Sequence, residues 1–139
     1  MKTKNLIVAL ILSVGLFTTS CNSSDENEGD TIAPIVGKWQ YVKQGSNVSG
    51  VETLRDYDGN VSGCDHDFID LKLDNTAVFG DYDSTLSPCA LSTVSGSYDR
   101  GDSKVTLTRN GVATTYDIVN LTATELKLKN GAEVFVLIR

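Results

Sequence analysis

The stretch Val105-Thr106-Leu107-Thr108-Arg109-Asn110-Gly111-Val112-Ala113-Thr114-Thr115-Tyr116-Asp117-Ile118 alternates apolar and polar residues on both sides of an Asn-Gly pair. Asn-Gly accepts the positive φ angles needed at both centres of a two-residue hairpin loop. Such a loop pairs Arg109 with Val112, Leu107 with Thr114 and Val105 with Tyr116. Val105, Leu107, Tyr116 and Ile118 then share one face, and Lys104, Thr106, Thr115 and Asp117 share the other. That is the pattern of a half-buried antiparallel hairpin.

Period-2 patterning continues outward in both directions, and no stretch after Ile32 keeps helical spacing. Strands are expected over 36–44, 67–74, 76–82, 94–99, 103–109, 112–119, 124–129 and 132–139. Eight short strands joined by turns predict an all-β barrel or sandwich. At Asn130-Gly131 a three-residue loop with Gly131 left-handed pairs Leu128 with Ala132, Leu126 with Val134 and Lys127 with Glu133. At Asp74-Asn75-Thr76 the same reasoning pairs Leu73 with Ala77 and Leu71 with Phe79, with Asn75 left-handed. These registers place Trp39, Tyr41, Ile69, Leu71, Leu73, Ala77, Phe79, Val94, Tyr98, Val105, Leu107, Tyr116, Ile118, Leu126, Leu128, Val134 and Val136 inside. Phe135 and Leu137 are left on the outer face of the last strand, where something must cover them.

Strands 67–74 and 76–82 run out and back, so Cys64 and Cys89 return to the same end of the hairpin. A Cys64–Cys89 disulfide would tie the loops 45–65 and 83–93 and stabilise by about 3.5 kcal/mol. The third cysteine, Cys21, has a different setting. Lys2 and Lys4 precede the apolar run Leu6 to Phe17, followed by Thr18, Thr19 and Ser20. That run is shorter than the about 20 residues needed to span a bilayer and reads as a signal peptide over residues 1–20. Cys21 then stands where a bacterial lipobox places the lipidated cysteine, although Thr18 replaces the commonest Leu. Residues 21–31 contain only polar residues and Gly after Cys21, which predicts a disordered tether before a folded domain at 32–139. The acidic tether resembles export signals of Bacteroidetes-type lipoproteins, which implies an outer-membrane protein facing the cell exterior.

The chain has 139 residues, room for one ordinary domain, with 12 Lys and Arg against 18 Asp and Glu. This balance argues against a nucleic-acid partner. Cleavage after Ser20 removes two lysines and leaves a net charge of −8, half of it from Asp25, Glu26, Glu28 and Asp30 in the tether. His66 is the one histidine, and no Gly-x-Ser-x-Gly frames a nucleophile. Asp56, Asp58, Asp65 and Asp67 are oxygen donors of the kind Ca²⁺ takes. Gly59 falls at the fourth position counted from Asp56, whereas an EF-hand loop needs glycine at the sixth, and turn formation explains Asp58-Gly59-Asn60 equally well. No cofactor is expected.

Gly37-Lys38-Trp39, Cys64-Asp65-x-Asp67, Leu71-Lys72-Leu73-Asp74-Asn75-Thr76, Cys89, Gly96-x-Tyr98, Tyr116-x-Ile118-x-x-Leu121-Thr122 and Leu126-x-Leu128 follow one another in order. In that order and spacing they resemble the lipocalin-like domain of many small Bacteroidetes lipoproteins, over residues 34–139. Asn75 stands where that family often has Gly. The resemblance implies an all-β, eight-stranded up-and-down antiparallel lipocalin-like barrel, in a family whose molecular function is mostly unassigned. No constellation of residues supports an enzyme, and lipocalins bind small ligands. A small apolar or amphipathic ligand would then meet the inward residues Trp39, Tyr41, Leu71, Phe79, Tyr98 and Tyr116. It also implies that Arg139 packs over Trp39 at the closed end, although strand parity beside Ile138 speaks against a simple inward direction. The competing expectation is a protein- or glycan-recognition surface on the disulfide-tied loops. A monomer held to the membrane by its lipid anchor is expected in either case.

Overall fold

The computed structural model describes residues 34–85 and 88–139. The signal segment 1–20, Cys21 and the tether 21–31 lie outside the described residues. The chain forms β1 (Gly37–Val48), β2 (Val51–Asp56), β3 (Phe68–Leu71), β4 (Thr76–Asp83), β5 (Ala90–Arg100), β6 (Lys104–Arg109), β7 (Val112–Leu121), β8 (Glu125–Asn130) and β9 (Glu133–Ile138). From β3 to β9 each strand pairs antiparallel with the next, and β1 pairs with both β3 and β9. These eight strands close the expected up-and-down barrel, and β2 is a ninth strand hydrogen-bonded to β1.

One end is closed by Trp39, which has no exposed surface. Its indole Nε1 donates to Ile35 O at 2.6 Å, and the Arg139 guanidinium lies 4.4 Å from its ring centre. Arg139 also donates from Nη1 to Val36 O at 2.8 Å and to Pro34 O at 3.3 Å, and from Nε to Ala123 O at 2.6 Å. Strand parity does not govern this side chain, because β9 ends at Ile138 and Arg139 lies beyond the strand. The core continues from Trp39 through Ile69, Leu71, Ala77, Phe79, Tyr98, Val105, Leu107, Leu126, Leu128 and Leu137.

The hairpin β6–β7 has the expected register, Arg109 opposite Val112 and Val105 opposite Tyr116. Two other registers differ from expectation. Between β3 and β4, Leu71 faces Ala77 and Ile69 faces Phe79. The loop is Leu73-Asp74-Asn75, closed by a bond from Lys72 N to Thr76 O, and Asn75 is left-handed as expected with φ of 64°. Asp74 Oδ1 accepts from both Thr76 N and Thr76 Oγ1, which draws Thr76 into the turn's closing pair. A shift of two residues keeps the faces, so only Leu73 leaves the interior; it stands at the turn tip, 88% exposed.

Between β8 and β9 the shift reverses the faces. Asn130 pairs with Glu133, Leu128 with Phe135 and Leu126 with Leu137, around a two-residue loop Gly131-Ala132. Gly131, with φ of 58°, takes the first central position, and Asn130 remains in the strand. That matches a II′ turn, which asks for glycine only there. The Asn130 side chain is used instead to donate from Nδ2 to Thr115 O at 2.8 Å, holding β8 to β7. Phe135 and Leu137 therefore point inward and Val134 and Val136 outward, the opposite of the expected arrangement. Lys127 pairs with Val136 in the ladder rather than with Glu133.

The outward valines are nonetheless buried, and β2 explains why. Val48-Ser49-Gly50-Val51 makes a tight turn with positive φ at Ser49 and Gly50, and β2 returns along β1 as far as Asp56. Lys127 on β8 meets Glu52 on β2 at 2.7 Å. In the strand order β2-β1-β9-β8 those strands are three spacings apart, about 14 Å in an uncurled sheet. The ion pair closes because the β1–β2 hairpin curls over the outside of β9 and covers Val134 and Val136. Gly45 sits where the curl is tightest; a Cβ there would stand 1.8 Å from Thr53 O. Residues 45–56 are thus a hairpin rather than part of an expected loop 45–65, and the connection proper is 57–67.

Arg139→Ala removes the contact with Trp39 and three hydrogen bonds at the closed end. It is expected to cost about 2 kcal/mol in urea unfolding. Arg139→Lys should recover little of this, since an ammonium lacks the planar fork that reaches Val36 and Ala123 together.

Candidate binding site at the barrel mouth

The other end of the barrel carries the β1–β2 hairpin, the connection 57–67 and the turns at Asn110-Gly111 and Gly131-Ala132. An aromatic group fills its throat. Tyr41 of β1 stacks on Tyr57 with ring centres 4.6 Å apart and planes at 17°. Phe135 of β9 meets Tyr41, Tyr57 and Tyr116 edge-on at 5.9, 6.4 and 6.2 Å. Tyr57 enters from the connection after β2, its backbone N donating to Val42 O at 3.1 Å. Edge-to-face packing of this kind adds about 1 kcal/mol per pair beyond burial, so the throat is a rigid plug.

The connection that carries Tyr57 is pinned at several points. Asn60 donates from Nδ2 to Tyr41 O at 2.7 Å and accepts at Oδ1 from Asp67 N at 2.9 Å. Asp67 O accepts from Tyr41 N, and Asp67 Oδ1 accepts from Tyr82 N at 2.8 Å. Cys64 and Cys89 are joined as a disulfide with Cα atoms 5.2 Å apart, which fastens this connection to the start of β5. Asp67 is the buried charged residue of the described chain, 6% exposed. Burial raises its carboxyl above the ordinary carboxylate value, partly offset by the bond from Tyr82 N; Asp81 raises it further, and Arg109 and His66 lower it. Burial likewise raises the phenols of Tyr57 and Tyr116, and that of Tyr41 far above its usual value, so all three stay neutral hydrogen-bond donors. Arg109 shares the inward face of Val105 and Leu107, lies 5.5 Å from the Phe79 ring centre, and makes no ion pair among the described residues.

Two open hollows flank the plug. The first, about 340 Å³, has Phe135 at its base, and the inward faces of the β1–β2 hairpin and of β9 supply Gln44, Ser46, Thr53, Arg55 and Glu133. Asp58 orients two of these groups. Its Oδ2 accepts from Gln44 Nε2 and Arg55 Nη2, both at 2.7 Å, and its Oδ1 accepts from Arg55 Nε at 3.3 Å. The Arg55 hydrogen bond holds the Asp58 carboxyl below its ordinary value. The second hollow, about 390 Å³, lies beside the disulfide around Tyr57, Asn60, Cys64 and His66.

Of the residues expected to meet a ligand, Trp39, Leu71, Phe79 and Tyr98 belong to the core, and Tyr98 donates its hydroxyl to Lys72 O at 2.7 Å. Tyr41 and Tyr116 are partly buried in the aromatic plug. The four aspartates are not gathered: Asp56 pairs with Lys43 at 2.6 Å, Asp58 serves Arg55 and Gln44, Asp65 is exposed on the connection, and Asp67 is turned to Tyr82 N. Among the described residues no group of three or more His, Cys, Asp or Glu side chains is placed to hold a metal ion. The sequence pattern does not mark Gln44, Arg55, Tyr57 or Arg109 as site residues, and it puts Phe135 on the outer face. Arg109 shares the parity of Leu107 and could have been read as inward; Tyr57 carries no sequence signal for its insertion.

A barrel with this closure, a Trp at its sealed end and a loop-rich mouth is a lipocalin-type architecture. The lipocalin-like domain family model matches residues 35–128, and the chain belongs to that family. It is similar in structure to a lipocalin-like protein from Bacteroides uniformis, with a TM-score of 0.59 and 12% identity over 75% of this chain and 96% of that one. It is also similar to an uncharacterized protein from Bacteroides eggerthii, with a TM-score of 0.58 and 12% identity over 75% of this chain and 98% of that one. At such identity the likeness is one of fold. No curated protein matches the chain.

The raised Asp67 carboxyl gives a pH test. The fold prefers the protonated form, so the stability from that preference is present below about pH 3.9 and is lost as pH rises through the folded-state pKa. Asp67→Asn keeps an acceptor for Tyr82 N without the charge. It is expected to unfold at higher urea than the native chain at neutral pH, with the gap closing near about pH 3. An equal gap at both pH values would assign the effect to something other than the buried charge.

Proposed function

We propose that this chain is a lipid-anchored, non-enzymatic binding protein of the outer-membrane surface that meets its ligand at the barrel mouth rather than within the barrel. The observation that carries this reading is the plug. Tyr41, Tyr57, Tyr116 and Phe135 close the throat above a continuous core, while the hollow over Phe135 stays open and is lined by hydrogen-bonding side chains. A ligand that entered the axis would have to displace these packed rings. A ligand at the mouth meets groups already held by Asp58. Such fixed pairs of aromatic and hydrogen-bonding groups suit recognition, because ordering costs are met in the free protein. This reading puts the recognition surface on the hairpin and the connection 57–67, close to the disulfide-tied loops rather than on the interior residues. Support for the anchor is the Cys21 that follows a short apolar segment and precedes an acidic tether; more than one acyl chain gives lasting attachment.

Crystals of the protein pressurised with xenon, which collects in dry apolar cavities, test the interior. No xenon is expected among Leu71, Leu107 and Leu128, and soaked small fragments should gather over Phe135. Xenon or fragments on the barrel axis below Phe135 would return the ligand to the interior. For the anchor, Cys21→Ala is expected to move the protein from the membrane fraction to the soluble one. Retention of Cys21→Ala with the membrane would refute lipidation as the means of attachment.

A further inference from the structure

The hollow over Phe135 has a chemistry that narrows its occupant. Its base is one aromatic ring, backed by three tyrosines that hold it in place. Its wall includes Leu54 and Gly45 and offers an amide, two hydroxyls, a guanidinium and a carboxylate from Gln44, Ser46, Thr53, Arg55 and Glu133. The Arg55 charge is matched by Asp58 at 2.7 Å, so the hollow presents no free cation to an anionic group. It is too open to enclose an alkyl chain, which gains from being surrounded by apolar surface.

Asp58 also determines what is left over for a ligand. It takes the Nε and one Nη of Arg55 and the Nε2 of Gln44. That leaves the other Arg55 Nη as a donor and Gln44 Oε1 as an acceptor, both held in fixed directions. Glu133 adds acceptors, and Ser46 and Thr53 add hydroxyls that serve either role. Donors and acceptors interleaved around an aromatic floor match a molecule with an apolar C–H face and a rim of hydroxyls. A pyranose ring has this character, and a hollow of about 340 Å³ has room for one or two such rings.

We propose that the mouth hollow is a neutral-saccharide site, in which a sugar ring lies on Phe135 and its hydroxyls are read by Gln44, Arg55 and Glu133. This deepens the mouth-binding reading and rests on it. Arg55 and Asp58 neutralise one another and Glu133 leaves one negative charge, so neutral sugars suit the hollow better than acidic ones, which would face the Glu133 carboxylate.

The test is chemical-shift mapping by NMR on the full chain, isolated in a zwitterionic detergent so that no sugar head groups compete. The probes are glucose, galactose, mannose, N-acetylglucosamine, maltose and cellobiose, each raised to about 20 mM, as single-ring affinities of millimolar order require. At least one is expected to shift the Phe135 ring and the Gln44 side-chain amide and to saturate. Phe135→Leu, which keeps the core filled, should weaken that binding about tenfold or more. Gln44→Ala, on the rim, should weaken it about fivefold. Failure of all six sugars to shift these signals would overturn the saccharide site, as would sugar binding that Phe135→Leu leaves unchanged. N-acetyl-tyrosinamide serves as a peptide-like probe in the same sample. If it shifts Phe135 and Gln44 while no sugar does, the saccharide proposal falls and mouth binding stands. If neither class of probe reaches these residues, both fall.

Discussion

The seam between β1 and β9 joins two strands that stand at opposite ends of the folded chain, and closure of the barrel rests on it. Gln40 through Ser46 pair with Ile138 through Glu133, so every other strand is enclosed between these two. Loop-closure entropy over such a separation is only about 0.6 kcal/mol more than over half of it, so the cost is tolerable once the seam's own contacts form. Beyond the ladder itself, both ends of the seam are pinned. Arg139 binds the closed end to Val36 and Ala123, and Asn47 N donates to Ala132 O at 2.8 Å at the mouth. The disulfide lies on another part of the mouth and reinforces the connection 57–67 rather than the seam.

A bulge in this seam turns closure into a site. The register shifts between Tyr41 and Lys43, so Tyr41 faces Leu137 and Gln44 faces Phe135. Residues 41 and 44 would lie on opposite faces of a regular strand. With Val42 as the extra residue both face inward, and the lining of the barrel runs on past its rim into Gln44 and Ser46. Beyond the bulge the hairpin curls outward across β9, with Gly45 at the close approach. The same curl buries Val134 and Val136 and leaves the hairpin's inner face open above Phe135.

This is also where the sequence stops being readable. The β6–β7 register and the left-handed Asn75 follow from local patterns, the all-β class from their repetition, the Cys64–Cys89 bridge from the out-and-back course of β3 and β4, and the barrel from the ordered motifs of the lipocalin-like family. Asn110-Gly111 and Asn130-Gly131 are the same dipeptide, yet in the first both residues form the loop and in the second Asn130 stays in the strand to bond Thr115 O. No local rule decides between them when the following strand is Val134-Phe135-Val136-Leu137-Ile138, apolar on both faces. Alternation selects a register only when one face is polar. The cover for the second face is β2, and β2 is itself hard to read: Val51-Glu52-Thr53-Leu54-Arg55-Asp56 is exposed along its length and lacks a buried stripe. Its one local sign is Ser49-Gly50 between two valines, a turn signal that acquires meaning only with β9 beside it. The mouth residues inherit that difficulty, since Gln44, Arg55 and Phe135 become neighbours through the bulge, the hairpin and the reversed register together.

Fold and recognition are divided between the two ends of the barrel. Trp39, Leu71, Leu107, Leu128 and Leu137 carry the packing and touch no open surface, so changes there act through stability. Arg55 and Asp58 are exposed and Gln44 is half-buried; they contribute to one another mainly by orientation and can change with little cost to the core, since solvent-exposed ion pairs stabilise by less than about 1 kcal/mol. The residue that belongs to both sets is Phe135, whose ring packs on Tyr41, Tyr57 and Tyr116 from below and forms the base of the hollow above. Tyr57 reaches it only because Asn60 and Asp67 fasten the connection to Tyr41 and Tyr82. Asp67 therefore helps set the position of the plug through its backbone bonds to Asn60 and Tyr41 and its carboxyl bond to Tyr82 N, and with it the floor on which a ligand would rest.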